Sequence, residues 1–116
     1  MKLYKGEPRA INVVYPSDPL SPYGLDDANI TEISMSLKQD TEKDADDAYL
    51  EKTMADGAAY NGSNFTFTMT IDKGDTSSLS GNYELCLGVQ ISGAGDYIEL
   101  SIPEPIITIV PDKVRK

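Results

Sequence analysis

The densest run of residues able to do chemistry is acidic: Asp40-Thr41-Glu42-Lys43-Asp44-Ala45-Asp46-Asp47-Ala48-Tyr49-Leu50-Glu51. Calcium is held by carboxylate and carbonyl oxygens, and the helix–loop–helix calcium loop places its carboxylates at set positions along twelve residues. Counting from Asp40, carboxylates stand at positions 1, 3, 5, 7 and 12, as Asp40, Glu42, Asp44, Asp46 and Glu51. Position 6, where the sharp turn requires Gly, is Ala45, and the flanks alternate like strands rather than helices. The run therefore reads first as a solvated connection between strands. Weak calcium binding is the second reading and contact with a basic partner the third; Asp26 and Asp27 could add ligands if the fold brings them near. No resident metal is expected.

Other chemistry is narrowed by what the 116 residues lack, since there is no His, no Trp and one Cys. Without imidazole there is no Ser-His-Asp triad, no Cys-His pair and no His-ligated metal. One Cys forms no internal disulfide and no thiolate zinc site. Cys86 falls on the polar side of an alternating run, with no base to make it a thiolate. Glu84 and Glu99 are paired carboxylates only in the sense that acids abound, on the wet faces of strands that could be neighbours. Gly93-Ala94-Gly95 lacks the following Gly, Lys and helix of a phosphate loop and reads as a hairpin link. The chain is expected to have no catalytic residues and no cofactor.

Charge points the same way. Ten Lys and Arg stand against 19 Asp and Glu, a formal net charge of −9. That disfavours both nucleic acid and anionic membrane as partners, since each calls for clustered Lys and Arg. From Ala10 to Asp112 there are four cations and 18 acids; the remaining cations sit at the two ends. The ends, 1–8 and 112–116, read as short basic tails free to order on a partner, with Lys113, Arg115 and Lys116 as contact candidates. The start has no apolar h-region, so synthesis in a reducing cytoplasm with Cys86 free is expected. Seven Tyr lie mostly in loops or at strand ends. Tyr serves protein interfaces and sugar platforms alike, and protein contact is weighed above sugar.

These residues sit on a framework of period-2 alternation. Ile33, Met35 and Leu37 alternate with polar residues, as do Phe65, Phe67, Met69 and Ile71, then Tyr83 to Ile91, then Ile98, Leu100 and Ile102. Weaker strands read at Ala10–Tyr15, Tyr49–Met54 and Ile106–Val110, making about seven. Pro16, Pro19, Pro22, Gly24, Asp56-Gly57 and Asn61-Gly62 supply turns, and Pro103 and Pro105 keep the last strand from simply continuing the one before it. The expectation is a single all-β domain over 1–116, an immunoglobulin-like antiparallel β-sandwich. In such sandwiches a Tyr near the start of the sixth strand bonds back to upstream backbone, two residues before the second disulfide Cys. Gly81-Asn82-Tyr83 fits that corner and Leu85 stands at the Cys position. Both are read as structural, with Leu85 packing against the Ile33–Met35–Leu37 face in place of a disulfide.

Taken in order, Ile11–Tyr15, Leu25, Ile33-Ser34-Met35-Ser36-Leu37-Lys38, the acidic run, Phe65-Thr66-Phe67-Thr68-Met69, Asp75-Thr76-x-x-Leu79-Ser80-Gly81-Asn82-Tyr83 and Ile106–Val110 form a pattern. It resembles the immunoglobulin-like domains of bacteriophage virions, such as the N-terminal domain of upper baseplate proteins and small tail or neck proteins. The likeness spans roughly residues 9–112. It departs in having one residue between Leu79 and Gly81 where two are common, and a longer, Pro-rich linker over 16–29. It implies a non-enzymatic structural protein made in the host cytoplasm and then built into the virion. There it would pack in many copies on tail, neck, baseplate or capsid proteins. Tyr15, the linker residues Tyr23 and Leu25, and the basic tails would be the partner contacts. The rival expectation is a glycan-binding surface module for host adhesion, calcium-assisted through the acidic run.

Overall fold

The structure, a computed structural model, describes residues 2–24, 30–39, 49–77, 79–91 and 97–110. Alternating segments form strands and the Pro- and Gly-bearing segments turn between them. In chain order the strands are β1 (Lys2–Tyr4), β2 (Arg9–Val14), β3 (Ile30–Lys38), β4 (Leu50–Thr53), β5 (Ala58–Asn61), β6 (Thr66–Ile71), β7 (Gly81–Ile91), β8 (Tyr97–Leu100) and β9 (Ile106–Val110). No α-helix occurs among the described residues; one 3₁₀ turn spans Ser21–Tyr23. One sheet runs β1-β9-β7-β3-β4, with β8 also on β7, and the other runs β2-β6-β5. Ile33, Met35, Leu37, Leu85, Leu87 and Val89 of the first sheet and Ile11, Val13, Phe67, Met69 and Ile71 of the second are buried in one core. The period-2 pattern puts these residues on the inner faces, and their removal from water is the main stabilising term.

Nine strands form among the described residues, where about seven are expected. β1 and β5 have three and four residues, too short for an alternation to register. β1 corrects the reading of 1–8 as a basic tail. Leu3 is buried, β1 pairs with β9 and the Lys5 N–H donates to the Val110 carbonyl at 2.9 Å. The pairing of β1 with β9 is parallel, so the larger sheet is mixed rather than antiparallel throughout. The 112–116 tail lies outside the described residues.

Phe65 is not part of a strand. It ends the β5–β6 hairpin turn with φ 55°, and its carbonyl accepts from the Tyr15 N–H at 3.0 Å. β8 and β9 are separate strands, yet both lie against the same edge of β7. Leu100 pairs with Leu87 and Ile106 with Glu84, so the Pro-bearing link bulges out by three extra residues. The Leu85 N–H bridges the gap by donating to the Pro105 carbonyl at 2.7 Å. The long linker is also anchored: Leu20 is buried in the core, and its N–H donates to the Asp18 carboxylate at 2.9 Å.

Candidate functional site

The outer face of the larger sheet gathers four of the residues singled out for chemistry, Glu51, Glu84, Cys86 and Glu99. Cross-strand partners share a face. Ser34 stands between Thr53 and Gly88, Ser36 between Glu51 and Cys86, and Lys38 beside Glu84; Gly88 faces Glu99. The wet face expected for β3 is covered, since Ser34, Ser36 and Lys38 are all buried. The Ser34 hydroxyl donates to the Glu51 carboxylate at 2.7 Å. The Tyr97 ring lies over Gly88, where an added Cβ would meet the Tyr97 Cβ at 3.3 Å. Burial, then the charges of Glu32 and Glu51, push the Tyr97 hydroxyl up.

Where β8 ends and the Pro link bulges, a cavity of about 520 Å³ opens over Cys86, lined also by Glu84, Glu99 and Ser101. Cys86 is half-buried and free. Burial pushes its thiol up; the Lys38 ammonium pulls the other way, and Glu84 and Glu99 push it further up. A thiol held protonated is a poor nucleophile. Glu84 and Glu99 flank the Cys86 row on neighbouring strands and both line the cavity.

Asp40, Glu42, Asp44 and Asp46 of the acidic run lie outside the described residues. Glu51, its last member, belongs to β4 and is bonded to Ser34. Among the described residues no group of three or more His, Cys, Asp or Glu is placed to hold a metal ion. The partner-contact candidates scatter. Tyr15 turns inward, its hydroxyl donating to the Ser101 carbonyl at 2.7 Å and its ring edge-on to Phe67 at 6.1 Å. Tyr23 ends the 3₁₀ turn, closed by Gly24 with φ 69°. Leu25, Lys113, Arg115 and Lys116 lie outside the described residues.

Tyr83 and Leu85 are buried, and Leu85 pairs with Leu37 across β3. The Tyr83 hydroxyl accepts from the Ser80 N–H at 3.2 Å. The segment before Tyr83 is equally engaged. The buried Thr76 hydroxyl accepts from the Gly6 N–H at 2.8 Å, Leu79 joins the core, and Gly81 turns with φ 94°.

Asp75 accepts from the Asp72 N–H at 2.7 Å and pairs with Lys52 at 2.8 Å. Lys52 shares the inner face of β4 with Leu50, paired to Met35, and its side chain is 8% exposed. Its hydrogen bond to Asp75 raises the ammonium above its usual value against the opposing effect of burial, with the Asp75 and Asp72 charges adding to the rise. Burial pushes the Asp75 carboxyl up, but the bonds from Lys52 and from the Asp72 N–H outweigh it and hold it below the usual range.

No family model, curated protein or solved structure matches the chain.

Sequence reasoning missed Lys52, Leu20 and the edge position of β2, and it met Thr76 only as a member of the resemblance pattern. Lys52 left a trace of its own: a single cation at a core-facing position of a weakly alternating strand.

Proposed function

We propose that the chain is an immunoglobulin-like, non-enzymatic module of a bacteriophage virion, made in the host cytoplasm and packed in several copies on other virion proteins. The observation that carries this reading is the Asp75–Tyr83 segment. It bears the most specific part of the sequence resemblance, and its polar groups engage within one corner of the fold. Strand order supports the fold half of the reading. β2-β6-β5 follows the B-E-D order of an immunoglobulin sandwich, and β9-β7-β3-β4 follows the G-F-C-C′ order of the variable type. A corner occupied in this way is scaffold, leaving recognition to edges and loops.

The test is electron microscopy and mass spectrometry of particles produced with and without the protein. Stoichiometric presence of the chain and a density lost on its deletion are expected. Particles unchanged in composition and density would overturn the reading, as would a glycan array with saturable hits that require calcium.

A further inference from the structure

Among the described residues β2 is an edge strand of the smaller sheet. β2 pairs only with β6. The Tyr15 N–H donates to the Phe65 carbonyl, and the register continues as Val13–Phe67, Ile11–Met69 and Arg9–Ile71. In an antiparallel ladder hydrogen-bonded pairs alternate with non-bonded ones. The N–H and C=O groups of Ala10, Asn12 and Val14 therefore point away from β6, along the open side. Natural edges are blunted by charge, Pro, bulges or a covering element. β2 has six residues with no Pro and no acid, and leaves Val14 60% exposed.

Beside this edge runs an apolar groove of about 420 Å³, walled by Ile11, Val13, Ile102, Pro103 and Ile107 and rimmed by Glu104. Tyr15 is tied to Ser101, so the link bearing Glu104 sits at the C-terminal end of β2. Arg9 stands at the other end, its guanidinium donating to the Lys2 carbonyl at 3.2 Å.

We propose that β2 pairs with β2 of a second copy of this chain, antiparallel about a two-fold axis at Asn12. The register follows from the groups that face outward. Ala10 meets the second copy's Val14, Asn12 meets Asn12, and Val14 meets Ala10, joining the two smaller sheets into one sheet of six strands. The same two-fold lays Arg9 of each copy beside Tyr15 of the other. There its aliphatic stem crosses the apolar groove and its guanidinium reaches Glu104. Charge favours this face. The body is strongly acidic and its outer sheet carries Glu32, Glu51, Glu84 and Glu99, so copies repel elsewhere, whereas β2 brings a cation to the other copy's Glu104. An isologous contact of this kind is closed and stops at the dimer. It stands independently of the virion reading.

Sedimentation velocity over a concentration series tests it on the full chain. The wild type is expected to move from the 12.6 kDa monomer to a dimer. Arg9→Glu and Glu104→Arg are each expected to raise the dimer dissociation constant about tenfold or more, and the double variant to restore it. Asn12→Pro removes an outward N–H that β6 does not use and is expected to abolish the dimer. Circular dichroism of each variant establishes that the fold is intact. A wild type monomeric at all concentrations would overturn the proposal. So would a dimer indifferent to Asn12→Pro, or a double charge swap that fails to restore association.

Discussion

The Asp75–Tyr83 corner and the β2 edge are both places where polar groups crowd the rim of the sandwich, and they treat those groups in opposite ways. At the corner the groups find partners inside the chain: Asp75 on Lys52, Thr76 on the Gly6 N–H, Tyr83 on the Ser80 N–H. At the β2 edge the N–H and C=O groups of Ala10, Asn12 and Val14 point away from β6, beside an apolar groove. Unpaired buried groups are costly, so a corner that is partly closed over must satisfy itself to fold. An open edge can wait for water or for another chain. The corner therefore answers to stability and the edge to association, and substitutions should separate the two.

The largest effect is expected at Asp75. Replacing it with Ala strips the buried Lys52 ammonium of its 2.8 Å partner and should cost about 3 kcal/mol, read as a lower urea midpoint. The same change at Asp72, 73% exposed and 3.5 Å from Lys52, should cost less than about 0.5 kcal/mol.

The pair also sets a pH dependence. Because Asp75 titrates below its usual value in the fold, the unfolded chain takes up the proton first. Stability from this group is therefore fully present above about pH 4 and lost as pH falls through the lowered value. Asp75→Asn should flatten the acid limb of a denaturation series. An unchanged limb would assign acid sensitivity to other carboxylates.

Next in size, Thr76→Val leaves the Gly6 N–H without its acceptor and should cost about 1–2 kcal/mol. Tyr83→Phe, which keeps the ring and loses one hydrogen bond, should cost about 1 kcal/mol. Smallest of all, Val14→Lys should change the stability of dilute protein by less than about 0.5 kcal/mol, because the side chain is already in solvent. The same variant should weaken any association through β2, since an edge Lys opposes strand addition. A large loss of monomer stability would show that Val14 is part of the core after all.

What was legible in the sequence follows from range. β3, β6 and β7 carry long alternations of Ile, Met, Leu, Phe and Val, so both their existence and their inner faces could be read directly. The Tyr83 corner was legible because its bond spans three residues and its cue is local. β1 and β5 were not, since Leu3 or Ala58 alone makes no period. Nor was the burial of Ser34, Ser36 and Lys38: it comes from Glu51, Glu84 and Tyr97 on neighbouring strands, and so depends on strand order. Strand order also makes β2 an edge, and no feature of Arg9–Val14 announces that. Lys52 was hidden for a related reason, as only the register with Met35 turns it inward toward Asp75.

Amide hydrogen exchange followed by NMR at two protein concentrations compares corner and edge in one experiment. The account predicts that the Gly6 and Ser80 amides are protected equally at both concentrations. It predicts that the Ala10, Asn12 and Val14 amides exchange freely in dilute protein and become protected together when concentrated. Edge amides that exchange identically at both concentrations, or corner amides that exchange as fast as the edge, would contradict it.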